Sequence, residues 1–196
     1  MNEASYEIRG TVPLLMHNGQ LANPIYSWTL ALKALTAKRK KTLDEFKQIA
    51  LVEWFGGLYT DLAVSPESDT MSRARVVVPA PNIIKAVIQG AQRNRLGKAF
   101  AASVYCKDAF YKLEYPGPQD VVKLSENPAF QSNMMVVVNR MRISRCRPIF
   151  TDWGLKFTLI FDDVELSQVN QAVADAGSYV GIGDYRPQYG RFEVVE

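Results

Sequence analysis

Four arginines follow one another closely in the second half of the chain, and we call Arg140, Arg142, Arg145 and Arg147 the arginine row. On an extended strand, Arg140 and Arg142 share one face, and Arg145 and Arg147 share one as well. Guanidinium groups at this spacing can follow a phosphate backbone, whose contacts supply most sequence-independent affinity for nucleic acids. No acidic residue lies among them, which favours a phosphate-binding strand over a merely solvated sheet face.

The stretch from Tyr179 to Glu196 holds a second group of residues suited to binding phosphate. Gly181 and Gly183 permit a close approach of the backbone and a positive φ, and exposed amides in such a loop can form an anion-binding nest. Arg186 can pair with a phosphate. We therefore expect residues 181–186 both to shape the fold and to contact backbone phosphates.

The loop also contains two tyrosines: Tyr185 directly precedes Arg186, and Tyr189 directly precedes Gly190. A tyrosine ring in such a position can stack on a base, and we assign this role to Tyr185. Gly190 is expected to serve structure only. The alternative reading of the whole stretch, a plain turn before a last strand, stays open.

Charge is divided unevenly along the chain, although the formal net charge is only +3. Residues 73–147 contain 13 Lys and Arg against 4 Asp and Glu, whereas residues 148–196 contain 3 against 8. Such a division indicates a surface that faces a polyanion and a separate acidic surface. Solvation explains the basic segment 37–42 as readily as binding does. Three further basic residues are assigned to the nucleic-acid surface: Lys85, Arg93 and Arg95.

Catalytic chemistry finds little support in the sequence. His17 is the only histidine, and a loop histidine without an identifiable partner is more often a hydrogen-bonded turn residue than a general base. A glycine-flanked serine nucleophile, an HExxH helix and a Walker-type phosphate loop are all absent from the sequence. We predict that the protein is not an enzyme and has no catalytic residue.

Metal binding is not expected either. Asp162, Asp163 and Glu165 lie together before a predicted helix, where the helix dipole stabilises acidic residues without a metal. Cys106 and Cys146 lack the paired spacing and the histidines of a zinc site, and two cysteines are too few for a secreted disulfide scaffold. We expect no cofactor, no metal and a reducing, cytoplasmic setting.

The composition is that of a globular domain, since 47% of the 196 residues are apolar. No window approaches the roughly 18 apolar residues of a membrane span, and the polar, acidic N-terminal segment differs from a signal peptide. These features predict one soluble domain over residues 1–196 with no membrane partner.

The first half of the chain predicts a strand, two helices, a second strand and a third helix. Alternating apolar residues indicate the first strand over residues 5–12, and helical spacing covers residues 26–58. Within the latter, Thr42 is a candidate N-cap, and Glu45 completes a capping box. A short strand and a proline corner then lead into a helix that begins near Pro81.

The second half is more varied. Residues 97–133 show no long periodicity and predict an irregular insertion of short strands and loops. Residues 134–148 predict one strand that carries the arginine row, and the alternation over 155–161 predicts its hairpin partner. A last helix is expected from an N-cap at Ser167 to a C-cap at Gly177, before a final strand.

The resulting order of strand, helix, strand, strand, helix and strand is that of the split βαβ pattern. It predicts the α+β class, with a ferredoxin-like or RNA-recognition-type core. The remaining segments are interpreted as a helical insertion around residues 24–60 and an irregular insertion around residues 97–133.

Three segments, taken in order, resemble one family. They are GTVPLLMHNG, VVVPAPNIIKAVIQGAQRNR and GIGDYRPQYGRFEV, and they are similar to segments of the RAMP superfamily, which includes the backbone subunits of CRISPR effector complexes. The first family motif falls on Val78, Pro79, Ile84, Lys85 and Ala86. The second, a glycine-rich loop with an arginine before the last strand, falls on Gly181, Gly183, Arg186, Gly190 and Phe192.

The resemblance implies a modified RNA-recognition fold that polymerises along a guide RNA and holds it by its backbone. We therefore predict a non-enzymatic protein that binds single-stranded nucleic acid, with RNA favoured over DNA. It would assemble side by side as a homo-oligomer or within a ribonucleoprotein complex, as a CRISPR backbone-like subunit or a stand-alone or phage-encoded relative. The alternatives are a guide-processing endoribonuclease with His17 as its base, and an interaction protein that mimics or caps such a complex.

Overall fold

The computed structural model describes residues 1–138 and 140–195 and confirms the α+β class, because it combines helices with antiparallel sheets. The strands are β1 (Asn2–Gly10), β2 (Leu14–Leu15), β3 (Val77–Pro79), β4 (Val104–Cys106), β5 (Phe110–Glu114), β6 (Gln131–Val138), β7 (Met141–Phe150), β8 (Gly154–Phe161) and β9 (Phe192–Val194). The helices are α1 (Ser27–Thr36), α2 (Leu43–Gly57), α3 (Ala80–Gln92), α4 (Gly97–Ser103), α5 (Val121–Glu126) and α6 (Leu166–Asp175).

The chain divides into two compact units, and neither is continuous in sequence. The first consists of Met1–Leu14, Val77–Pro116 and Phe150–Glu196, and the second of Leu15–Val76 and Gly117–Ile149. The helical segment predicted around residues 24–60 lies in the second unit. Of the region predicted as an irregular insertion, α4, β4 and β5 belong to the first unit and α5 to the second.

The first unit is built on a sheet with the strand order β3-β5-β8-β1-β9, in which β4 also pairs with β8. β1 lies antiparallel to both β8 and β9. Alternate side chains of β8 are buried, from Leu155 to Phe161, as the period-two pattern predicts. On β1 the buried side chains are Tyr6 and Ile8. The alternation of apolar residues therefore identified the two longest strands of this sheet correctly.

Helices α3 and α6 pack against each other in the same unit. The predicted apolar face of α3 is confirmed at Ile83 and Val87, which are buried, and that of α6 is confirmed at Val169 and Val173. Apolar residues three and four positions apart place these side chains on one side of each helix. The opposite side of α3 is therefore available to solvent.

The predicted N-cap of α6 is wrong. Glu165 caps the helix instead of Ser167, because the side chains and amides of Glu165 and Gln168 bond to each other reciprocally. In this arrangement the N–H of Glu165 donates to Oε1 of Gln168 at 2.9 Å. The two residues thus satisfy amide groups that a serine hydroxyl was expected to satisfy.

The predicted C-cap of α6 is wrong as well. The helix continues beyond Gly177 through a π-helical turn at Ala176–Val180, and Gly181 ends it with a φ of 77°. Gly177 is buried within the turn, where a Cβ would collide with the carbonyl of Phe192. That glycine is required for space rather than for a left-handed backbone.

In the second unit, α2 begins with the predicted capping box. The Thr42 hydroxyl accepts from the N–H of Glu45, and the carboxylate of Glu45 accepts from the N–H of Thr42. Two buried tryptophans also form hydrogen bonds within this unit. The indole N–H of Trp54 donates to the carbonyl of Phe130 at 2.7 Å, and that of Trp28 donates to the carbonyl of Val64 at 3.0 Å.

The single strand predicted over residues 134–148 is wrong, because β6 and β7 pair antiparallel with each other. Asn139, which that prediction includes, lies outside the described residues. The predicted hairpin between β7 and β8 is also wrong: β7 belongs to the sheet β2-β7-β6, whereas β8 pairs with β1, β4 and β5. No glycine or proline marks the chain reversal, and apolar residues on both sides of it, such as Val136 and Ile143, continue the strand pattern in the sequence.

Candidate nucleic-acid interfaces

Helix α3 carries a polar stripe on its solvent side. Lys85, Gln89 and Arg93 follow one another at intervals of four residues, so their side chains lie on the same side of the helix. Lys85 and Arg93 are exposed and Gln89 is half-buried. Two of the predicted nucleic-acid residues are therefore brought to one surface by helical spacing alone.

The loop after α6 adds a third cation to this stripe. The Nη1 atom of Arg186 donates to Oε1 of Gln89 and to the carbonyl of Gly181, each at 3.3 Å. Gln89 thus holds a guanidinium that comes from a distant part of the chain. We call Lys85, Gln89, Arg93 and Arg186 the α3 cluster.

The cations of the α3 cluster are not neutralised within the first unit. Among the residues that the structure describes, Lys85, Arg93 and Arg186 form no ion pair with a carboxylate. In the same unit, Lys107 pairs with Glu3 at 2.7 Å and Lys156 with Glu7 at 2.8 Å. The three cations of the α3 cluster therefore differ from Lys107 and Lys156, whose charges are paired within the fold.

The glycines of the closing loop have different roles. Gly181 is buried, and its N–H donates to the carbonyl of Ala176 at 2.7 Å, so this amide is used within the fold. At Gly190, with a φ of 73°, a Cβ would collide with the carbonyl of Ile182. Gly183 has a φ of 82° and is half-buried. Of the predicted nest, Gly183 is the glycine that lies nearer the surface.

Two tyrosines rise from this surface. Tyr185, which the sequence singled out, adopts a φ of 53° and is 45% exposed. Tyr179, which it did not, is 55% exposed and lies under the guanidinium of Arg93, with 3.6 Å between Cζ and the ring centroid. The π-helical turn places Tyr179, and no sequence pattern announces such a turn.

The C-terminal end of α3 is fixed to α6. Nδ2 of Asn94 donates to Oδ2 of Asp175 at 3.0 Å, and Gln171 donates to the other oxygen of the same carboxylate at 3.0 Å. Arg95 follows in an exposed position with a φ of 62°. Asp175 is thus occupied by two neutral amides next to Arg93.

The arginine row is arranged differently, in the second unit. The prediction that Arg140 and Arg142 share a strand face is wrong, because Arg140 precedes β7 in a turn with a φ of 66°. Arg142 is exposed and lies opposite Val137 of β6, which is 70% exposed. Its neighbour on that face is Met135, which is 66% exposed. Arg142 therefore borders an apolar surface.

The other two arginines of the row point to the opposite face, as strand alternation predicts. Arg145 lies across from Met134 and Arg147 across from Ser132, and both arginines are half-buried. The row that looks continuous in sequence is therefore divided between a turn and two faces of a sheet.

Arg145 also has an acidic partner. Glu53 of α2 is only 5% exposed, and its carboxylate accepts from Nη1 of Arg145 and, at 2.9 Å, from the N–H of Cys146. Burial, and then the nearby Glu53 charge, raises the pKa of the Cys146 thiol to about 11. The charge of Arg145 is thus compensated inside the fold, by an acid that sequence spacing did not reveal.

The residues considered for other chemistry are dispersed. His17 is exposed in the loop after β2, and its carbonyl accepts from the Tyr59 hydroxyl at 3.1 Å. Glu165 caps α6, and Asp162 lies 4.0 Å from the N-terminal amine. Within residues 1–138 and 140–195, no three His, Cys, Asp or Glu side chains are grouped so as to hold a metal ion. No helix in this part of the chain is long and apolar enough to cross a membrane.

Comparisons of the sequence with models of known protein families and with curated proteins find no match.

Proposed function

We propose that this protein binds single-stranded nucleic acid, with RNA favoured, through contacts of the α3 cluster with backbone phosphates, and that it is not an enzyme. The observation that carries the proposal is the gathering of Lys85, Arg93 and Arg186 on one surface without carboxylate partners among the described residues. Cations that no acid compensates favour a polyanionic ligand, because each phosphate contact releases bound counterions.

The order of elements in the first unit supports a ferredoxin-like core for this protein. β9, β1, β8 and β5 are neighbours in that order, with α3 between β1 and β5 in the chain and α6 between β8 and β9. This is the arrangement expected of the split βαβ pattern, which also underlies RNA-recognition domains. The fold alone does not specify a function, so the proposal rests on the α3 cluster.

The RAMP-like segments extend the proposal to assembly. By resemblance, the protein would be a CRISPR backbone-like subunit or a stand-alone relative that forms homo-oligomers along its ligand. The exposed carboxylates at Asp162 and Asp163 offer an acidic surface for a neighbour's basic one. Size-exclusion chromatography with and without a 40-nucleotide RNA tests this part, since side-by-side assembly would produce ligand-dependent oligomers.

The experiment that tests binding measures fluorescence anisotropy of a labelled single-stranded RNA, and of the same sequence as DNA, at several salt concentrations. Replacing Lys85 and Arg186 by Gln removes two phosphate contacts, so we expect affinity to fall roughly tenfold and the salt slope to decrease by about 1.4. Absence of salt-dependent binding by the full-length protein would reject the proposal.

A matched control removes two cations elsewhere. Arg39 and Lys40 are exposed and lie in the second unit, and their replacement by Gln changes the net charge by the same amount. We expect this variant to keep the affinity and the salt slope of the unaltered protein. An equal loss in both variants would mean that net charge, rather than the α3 cluster, governs binding.

A further inference from the structure

The Arg93–Tyr179 pair has a geometry that phosphate binding does not require. The guanidinium lies over the phenol ring at 3.6 Å, and both side chains are exposed. A guanidinium held over a ring has fewer directions from which its N–H groups can reach a phosphate. The same arrangement presents a planar, delocalised surface to solvent.

The positions of Arg93 and Tyr179 follow from the close packing of α3 and α6. At Gly90, one turn before Arg93, a Cβ would lie 2.7 Å from the N of Ala176 and would collide with the carbonyl of Ala172, so the two helices meet backbone to backbone. On α6, the π-helical turn at Ala176–Val180 contains Tyr179. A π turn holds one more residue than an α turn, which shifts the side chains around the helix axis. The short distance between the helices brings Arg93 over the ring.

We propose that the Arg93–Tyr179 pair is a stacking platform for one unpaired nucleobase. The inference rests on the proposed function, because the base arrives as part of a single-stranded nucleic acid. Bases have a flat π-face irrespective of their identity, and they stack on aromatic rings and on arginine planes. The platform therefore supplies affinity that depends on the presence of a base and little on its sequence.

The neighbours of the platform fit this role. Gln89 holds Arg186 one helical turn from Arg93, and Lys85 lies one turn further along α3. Phosphates bound at these two cations would lie on one side of a base stacked on the platform, so the strand would run along α3 toward Arg93. Asp175, the nearby acid, is occupied by Asn94 and Gln171 and forms no ion pair with Arg93.

The test compares a 12-nucleotide RNA with an oligomer of the same length that has abasic sugars throughout. In the unaltered protein we expect tighter binding of the RNA than of the abasic oligomer. Tyr179→Ala should weaken RNA binding about fivefold or more, and leave both the salt slope and the affinity for the abasic oligomer unchanged. Tyr179→Phe, which keeps the ring, should bind as the unaltered protein does.

Tyr105 provides a matched control, because it is a 43% exposed tyrosine of β4 in the same unit. Tyr105→Ala should bind both oligomers normally. A second variant, Arg93→Lys, keeps the charge and removes the plane, so RNA affinity should fall while the salt slope stays the same. This variant leaves the Tyr179 ring in place and tests the platform if Tyr179→Ala does not fold.

The outcomes separate the inference from the proposed function. If RNA and abasic oligomer bind equally well, or if the variants at Tyr179 and Arg93 lower both affinities alike, the platform is overturned while phosphate binding stands. If neither oligomer binds in a salt-dependent way, the proposed function fails, and the platform fails with it.

Discussion

The α3 cluster and the arginine row differ in how distance along the chain corresponds to closeness on the protein surface. Lys85 and Arg186 are about a hundred residues apart in the chain, yet Gln89 brings them to one side of the first unit. The arginine row is compact in sequence, yet the second unit distributes it over a turn and two sheet faces and pairs Arg145 with Glu53. Proximity in sequence therefore says little about where uncompensated charge accumulates.

Among the changes that test this difference, removing Glu53, the acid that pairs with Arg145, should have the largest effect, and the effect is on stability. Glu53→Ala leaves the N–H of Cys146 without its acceptor and Arg145 without its partner, so we expect a loss of about 3 kcal/mol in the free energy of unfolding. Urea denaturation followed by tryptophan fluorescence measures it. The control is Asp44→Ala on the same helix, whose exposed pair with Lys47 should contribute less than about 1 kcal/mol. Equal losses in the two variants would contradict a structural role for Glu53.

A smaller loss is expected when the helices of the first unit are forced apart. Gly90→Ala places a methyl group against the backbone of Ala172 and Ala176, which should lower the free energy of unfolding by about 2 kcal/mol. The same urea titration tests it. Gly19→Ala is the control, because a Cβ at Gly19 meets nothing within 4 Å. A stable Gly90→Ala protein with normal RNA affinity would show that the close helix contact is dispensable.

Making the same arginine-to-glutamine change in each region gives a third prediction. Arg93→Gln should lower RNA affinity roughly tenfold with little change in stability, since Arg93 is exposed and forms no ion pair in the described part of the chain. Arg145→Gln should do the reverse, with less than a twofold change in affinity and a stability loss of about 1 to 2 kcal/mol. Anisotropy and urea denaturation on the same samples measure both quantities. If Arg145→Gln instead weakens binding as strongly as Arg93→Gln, the distinction between the regions is wrong.

The smallest effect concerns the thiols, of which each unit holds one. Burial raises the pKa of Cys106 and of Cys146 to about 11. A raised pKa means that a smaller fraction of the thiol is ionised at any pH below the pKa, so only about one thiol in a thousand is thiolate at pH 8. Because the thiolate is the reactive form, reaction with a disulfide reagent should be slow in the folded protein. The rate should increase about tenfold per pH unit up to the pKa. Rapid labelling of either native cysteine at pH 8 would contradict the raised pKa of its thiol.

Local patterns predicted the elements that local forces determine. The alternation in β1 and β8, the capping box of α2 and the apolar side of α3 all depend on residues within a few positions of one another. The hairpin prediction for β7 and β8 failed because alternating apolar residues identify a strand but do not identify the strand with which it pairs. Pairing is decided by the rest of the sheet, which a short segment does not reveal.

The candidate site was predicted only in part for the same reason. Lys85, Arg93 and Arg186 were identified by charge and by the closing loop, but their meeting at Gln89 depends on tertiary structure. Tyr179 was missed because its position follows from a π-helical turn and from the space left by Gly90. Glu53 was missed because it lies far from the arginine row in sequence and reaches it only through the packing of α2.

The interrupted course of the chain also determines the order in which a ribosome can complete the two units. The last residue of the second unit is Ile149, whereas the first requires β9, at Phe192–Val194. Ile8 of β1 pairs with Leu155 and Val194, so this early strand emerges long before either partner has been translated. During synthesis β1 is an unpaired strand with apolar side chains, a state that chaperones bind. The second unit therefore has all of its residues, and is ready to fold, before the last strand of the first unit has been translated.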